Sequence, residues 1–294
     1  MAVFGIIGRS LRRWLALPVI VVALVLSGCS VARLGYNAAP DLLYLWLDDY
    51  LDFDNAQARR VIAELKVIHR WHRAEELPLV ADLLYEAQAL ATQNPDGPRL
   101  CALYDAVRDR SEALLQRALL AAAAIAPTLK PEQIATLAKA YEKSNRKMRE
   151  EWHEARAQGV ELRTRKSLER LEDLYGALSA EQVRTFKLAM AQSGFDEKRY
   201  FEEVQSRQQS VLQTLARIRG SDVATARSAL TDVAQYFSHS ANPVYRQYHE
   251  QMTEQTCQAF AKLHAQTNAD QRKKMVRTLK GYETEVRALA AQKD

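Results

Sequence analysis

Glycine and proline are scarce in this chain, ten and eight among 294 residues. Alternating runs of β-branched residues are missing as well, so the sequence has neither the turn density nor the pattern of a sheet protein. The scattered glycines form no loop able to cradle a phosphate. Three cysteines occur, none spaced C-x-x-C, which leaves a dithiol redox enzyme without support. No G-x-S-x-G nucleophile elbow is present. A carboxylate di-iron centre in a helical bundle needs two Glu-x-x-His motifs, and Glu150 with His153 supplies one alone. His69 and His72 share a helical face, yet no Cys or carboxylate nearby completes a metal site. No cofactor, no metal and no catalytic residue is expected.

What remains favours helix. Ala, Leu, Glu, Gln, Lys and Arg are abundant, and apolar residues step at helical spacing: Ile134, Leu137, Tyr141, Met148 and Trp152, later Met275, Leu279, Tyr282, Val286 and Leu289. Pro40 opens a first segment and Pro78 interrupts or kinks a later one. The stretch QNPDGP at 93–98 is a turn, and Pro127 and Pro131 bracket a break. One long helix is expected over 131–175 with Gly176 as its stop, and further stops at Gly194, Gly220 and Asn242-Pro243. Asp54, Ser179 and Asn268 each stand three residues before a Gln, the arrangement of a capping box. LKPEQ at 129–133 has the same outline, but Lys130 cannot cap, which assigns that work to Thr128 or Pro131. The expectation is an all-α protein, a multi-helix bundle or array of helical hairpins with about eight helices and no sheet.

The N-terminus carries Arg9, Arg12 and Arg13, then an apolar run at 14–26, then LSGCS. A basic start, an apolar run of roughly 7–15 residues and a small-residue exit describe a secretory signal peptide. A membrane-spanning helix needs about 20 apolar residues. The stretch LSGC at 26–29 resembles the lipobox of bacterial lipoproteins. That resemblance implies cleavage between Gly28 and Cys29 and fatty acylation of Cys29. Ser30, in place of an Asp, implies sorting to the outer membrane with the body facing the periplasm. The organisation expected is a signal peptide at 1–28, a lipidated end and short tether at 29–39, and a helical periplasmic domain at 40–294 with a sub-boundary at 127–131.

Export reshapes two other readings. Removing 1–28 takes away three arginines from 41 basic residues and none of the 36 acidic ones, which leaves a net charge of +2 rather than +5. The pI near 9.0 therefore says little for nucleic-acid binding, and none is expected. In an oxidising compartment a bridge between Cys101 and Cys257 is favoured over two separately buried thiols. Closing so long a loop contributes about 4–5 kcal/mol in the chain-entropy model.

The block after the lipobox reads LGYNAAPDLLYLWLDDYLDFDNAQ and then IHRWHRAEELP. Its order of YN, a W-L-D-D-Y-L-D-F-D cluster, Gln, WHR and LP resembles an uncharacterised family of Gram-negative lipoproteins. The matching residues are Tyr36, Asn37, Trp46, Asp49, Asp52, Asp54, Gln57, Trp71, His72, Arg73 and Pro78. The uncharged stretch 42–47 must be covered, either inside the bundle, the favoured reading, or on a lipid surface. In the favoured case the neighbouring acids would pair with the arginines of HRWHR. LKPEQ, LSAEQ and TNADQ resemble the L-T-x-x-Q motif of the Spy/CpxP periplasmic chaperones, which implies client binding on a basic, partly apolar surface. Trp71, His72, Arg73, Arg146, Arg149 and Trp152 are the candidates for such a surface. The expected function is that of an outer-membrane-anchored, non-catalytic binding or scaffold module, its partners the membrane through the N-terminal lipid and envelope proteins or unfolded clients. The alternatives are a Spy/CpxP-like client binder and an enzyme whose site gathers His69, His72 and His153.

Overall fold

A computed structural model describes residues 28–157, 159 and 161–292. The expected signal peptide lies outside the described residues except for Gly28. The described chain is all helix: α1 Gly28–Asn37, α2 Ala39–Leu51, α3 Asn55–Trp71, a π-turn His72–Glu76, α4 Leu77–Ala91 and α5 Gly97–Ala122. A 3₁₀ turn, Ala126–Thr128, leads to α6 Pro131–Ala157, α7 Leu162–Tyr175, α8 Ala180–Ala191, α9 Glu197–Ile218, α10 Val223–Ser238, α11 Pro243–Ala265 and α12 Ala269–Ala290. No strand occurs among the described residues.

Two local causes add helices to the eight or so expected. The stretch read as a tether is helical, and α1 is docked rather than free: Arg33 forms a two-pronged ion pair with Glu285 of α12, at 2.6 and 3.0 Å. The long helix expected over 131–175 is two helices. Gly159 takes a left-handed φ of +67°, and the Glu161 carboxylate caps the backbone N–H groups of Arg163 and Thr164. Apolar spacing runs on through the break, so periodicity alone hid it.

Two buried clusters organise the molecule. One gathers Leu129, Leu137, Leu215, Ile218 and Leu230 from α6, α9, α10 and the turn before α6. The other gathers Leu171, Tyr175, Phe186, Met190 and Leu263 from α7, α8 and α11. Helix α5 contacts α10 and α11, and α12 lies along α4. Cys101 and Cys257 join α5 to α11, their sulfurs 2.12 Å and their Cα atoms 5.5 Å apart. Close by, a Cβ on Gly97 would fall 2.8 Å from the Gln258 side chain, so only glycine allows that approach.

The capping boxes at Asp54, Ser179 and Asn268 are present in full. At LKPEQ the expected capper is absent: the Thr128 hydroxyl donates to the Ile125 carbonyl, and Gln133 receives the Lys130 N–H directly, at 2.8 Å. The four glutamines of these motifs then pair. Gln57 and Gln133 exchange amide hydrogen bonds at 3.2 and 2.8 Å. Gln182 and Gln271 do the same at 2.9 and 3.0 Å. Each amide also donates to a carbonyl two residues before its partner's helix cap: Thr128, Asp52, Gln266 and Ala177 respectively. All four side chains are buried, and every hydrogen-bonding position of each amide is used.

Two outcomes follow from this packing. Gln182→Leu strands the Gln271 amide, the Ser179 N–H and the Gln266 carbonyl, and urea unfolding will show a loss of more than about 2 kcal/mol; a shift below about 0.5 kcal/mol contradicts the account. Glu283, buried on α12, is held at a pKa of about 2 by hydrogen bonds from Gln88, then Arg287 and Lys280. Because the folded value is depressed, its stabilisation is present above the ordinary carboxylate range and fades as pH falls toward 2. The stability gap between wild type and Glu283→Gln is therefore wide at pH 7 and narrow at pH 3; an equal gap at both contradicts it.

Candidate functional site

The family-like block folds into a clasp. Tyr36 at the end of α1 hydrogen-bonds His72 Nδ1 through its hydroxyl at 2.9 Å, and its carbonyl receives His69 Nε2 at 2.9 Å. Arg73 donates to the Asn37 side chain at 2.8 Å and lies 5.7 Å from the centre of the Tyr36 ring. The π-turn places these groups. Proline at 78 has no N–H and its ring crowds the carbonyl four residues back, so the helix widens by one residue per turn there and the Leu77 N–H reaches the His72 carbonyl. Burial pushes the His72 pKa down, against the pull of Glu76. His69 and His72 thus tie α1 to the body.

The acids of the block find other partners than those arginines. Asp48 accepts the Phe53 N–H at 2.9 Å, and Asp54 caps α3 and pairs with Lys130 at 3.1 Å. The burial expected for 42–47 is overturned: Leu42, Leu43, Leu45 and Trp46 are 55, 47, 61 and 55% exposed. The inward side of α2 is supplied instead by Tyr50 and Leu51, with Phe53 after it, against the first cluster.

The candidate binding surface divides in two. Trp71 donates to Glu75 at 2.8 Å and is covered by Arg117 of α5. Arg149 and Trp152 instead pack on Phe201 of α9, and Arg146 and Arg149 rim a depression of about 270 Å³ with Asn145 and Gln205. These groups share no partner. His153 adjoins neither histidine of the clasp in any hydrogen bond or ring contact. Among the described residues no three His, Cys, Asp or Glu side chains gather as metal ligands, and no helix is long and apolar enough to cross a membrane.

Sequence reading missed an apolar cavity. It holds about 510 Å³ between α4, α5, α7, α11 and α12, beside the Cys101–Cys257 bridge. Leu171, Leu174, Met252 and Phe260 form much of its wall. One end is closed by Tyr175, whose hydroxyl meets His264 Nδ1 at 2.7 Å, while His264 Nε2 contacts the Gln93 carbonyl at 2.8 Å. A carbonyl only accepts, so Nε2 carries the proton and Tyr175 donates to Nδ1. Burial lowers the His264 pKa and raises that of Tyr175. At the other end stand Arg163 and His249, where a second, polar pocket of about 480 Å³ begins; Tyr104 and His249 line both. Apolar helix faces read in sequence as core, and nothing in their periodicity tells a closed seam from a gap.

The chain belongs to a family of unknown function, DUF6279, whose model matches residues 49–236. No curated protein and no solved structure matches it. The matched span begins inside α2 and ends within α10, so it takes in the first glutamine pair and leaves α1, α11 and α12 outside.

The clasp predicts a local effect. Tyr36→Ala removes the ring and hydroxyl that α1 docks through, so amides of α1 will lose hydrogen-exchange protection while those of α5 and α11 keep theirs. Equal protection of α1 in both proteins contradicts this role.

Proposed function

We propose that this protein is a lipid-anchored module of the bacterial outer membrane, facing the periplasm and acting by non-catalytic binding of envelope components. The observation that carries the reading is the exposed apolar face of α2 so soon after the lipobox-like LSGC. Leu42, Leu45 and Trp46 stand at i, i+3 and i+4 on one helical face and are all more than half exposed. An apolar face of this kind on a soluble surface is costly unless something covers it, and a tryptophan in such a face suits a lipid–water boundary. Arg33, Tyr36 and Asn37 fix α1 to the body, so a lipid on Cys29 would hold α2 within a few turns of the leaflet. Of the acids near this face, Asp41 lies in the first turn of α2, while Asp48 and Asp54, toward and beyond its C-terminal end, are engaged in capping. Two or more acyl chains anchor a protein durably, at about 0.8 kcal/mol per buried methylene. The Cys101–Cys257 pairing accords with an oxidising compartment.

A chaperone reading in the manner of Spy/CpxP is less favoured, because the basic and aromatic candidates fall into separate neighbourhoods and the glutamines of the L-T-x-x-Q-like motifs are consumed in pairing helix starts. Fractionation tests the proposal. Cys29→Ala will move the protein from the outer-membrane fraction to the soluble periplasm, and the purified variant will still bind neutral phospholipid vesicles weakly through α2. Adding Leu45→Glu and Trp46→Glu will abolish that residual binding. Unchanged membrane partition of Cys29→Ala refutes the anchor, and vesicle binding indifferent to the α2 changes refutes the face.

A further inference from the structure

The cavity and the polar pocket adjoin, with Tyr104 and His249 in the walls of both. Along α7 the cavity is lined from Arg163 to Tyr175, and along α11 from His249 to His264, so at 1.5 Å per residue it is about 20 Å long. Its wall is mostly apolar between its two ends, with Ser167, Thr253 and Thr256 as the exceptions, and its volume falls in the range of small-molecule sites. The end at Tyr175 and His264 is chemically sealed, since both polar groups there are spent on each other and on the Gln93 carbonyl.

The opposite end is cationic and incompletely partnered. The Arg163 guanidinium gives one Nη to the Ser193 hydroxyl at 2.8 Å and stacks 4.8 Å from the centre of the Phe195 ring. Its Nε is buried and has no acceptor in the structure. Beyond Tyr104 and His249, the polar pocket adds Arg108, Arg207 and Arg246 against two carboxylates, Glu112 and Glu250. Arg207 is tied to Glu203 at 2.8 Å, and Arg108 to Asp105 at 3.0 Å. Arg246 has no acidic partner among the described residues and meets only the Ser240 carbonyl, at 2.5 Å. A long apolar slot with a blind end, opening beside a buried unmet donor and an unneutralised guanidinium, is complementary to a molecule with one acyl chain and one anionic head.

We infer that this site binds a single-chain anionic amphiphile, its acyl chain running along α7 and α11 and its carboxylate or phosphate held by Arg163 with Arg246 beyond it. The inference deepens the envelope-binding reading by naming the chemistry of a ligand, and it rests on that reading only for where such a molecule is met. The blind end sets the polarity: a head group there would find no free donor. The two sources of this chemistry, a free fatty acid and a lysophospholipid, differ in head size. The polar pocket bears on that choice, because a phosphate head reaches Arg246 and a carboxylate ends at Arg163.

Displacement of a fluorescent fatty acid from the full mature chain carrying Cys29→Ala tests the inference, with palmitate, lysophosphatidylglycerol and a neutral monoacylglycerol as competitors. Both anionic competitors will displace the probe, and the neutral one will do so about tenfold less well. Arg163→Gln will weaken the anionic competitors by about tenfold and leave the neutral one unchanged. Arg246→Gln will weaken lysophosphatidylglycerol alone. Ser167→Phe and Ala87→Phe, two small lining residues on different helices, each fill the slot and will abolish displacement in proteins whose thermal melts remain cooperative. No displacement by either anion, equal displacement by the neutral compound, or wild-type binding by both slot-filling variants overturns the inference. Membrane fractionation is a separate readout, so loss of this site leaves the anchor reading standing, and loss of the anchor leaves the site standing.

Discussion

A buried primary amide has two donor and two acceptor positions, and each one left unmet costs about 1–3 kcal/mol. In this protein four such amides, on Gln57, Gln133, Gln182 and Gln271, are satisfied by one rule applied twice. The oxygen takes the N–H at the start of its own helix and one N–H of the partner amide. The nitrogen serves the partner's oxygen and the carbonyl two residues before the partner's cap. Each side chain therefore fixes where its own helix starts and which second helix starts beside it. Apolar packing alone tolerates sliding of one helix along another, whereas a reciprocal amide pair has one register. The first pair joins α3 to α6 over the first apolar cluster, and the second joins α8 to α12 over the other.

The second pair has a consequence for the cavity. It sets α8 and α12 at the end where Tyr175 and His264 close the slot, and the Cys101–Cys257 pairing holds α5 against α11 along its side. Arg272, one residue after Gln271, fastens the turn containing Gln93 and Asn94 to the same end. With those helix ends fixed, the faces of α4, α7 and α11 stand apart rather than collapsing together. The gap persists because its frame is polar and directional while its lining is apolar and would otherwise close. At the other end Arg163 donates to Ser193 and the Asp196 N–H to the Tyr248 hydroxyl, and Arg163 keeps its Nε donor unmatched. The fold thus leaves one end of the slot with its polar groups satisfied and the other charged, with one donor unmet.

Much of this architecture was legible in the residues. Asp54, Ser179 and Asn268 cap the helices that their spacing to Gln predicts, and Pro78 marks the place where the helix widens into a π-turn. The pairing of the glutamines was not legible, because a capping box uses only half of the amide and the sequence does not say what the other half meets. The break at Gly159 was masked by apolar spacing that continues across it. The stretch 42–47 looked like core by composition, yet Tyr50, Leu51 and Phe53 take the inward positions and Leu42, Leu45 and Trp46 are left outside. Trp71 and His72 looked like parts of a binding surface. The structure spends them on a neighbouring glutamate and on the tyrosine of α1. The cavity had no sequence signature, since the same leucines and methionines would line a closed seam.

The proposed acyl-sized slot, held open by paired helix ends, would face outward through arginine. A crystal structure of the protein with a fatty acid brominated at its methyl end measures this directly. The account predicts an anomalous bromine peak against Tyr175 and His264 and the carboxylate beside Arg163. A bromine peak at the Arg163 end, or a slot closed by contact between α7 and α11, would contradict it.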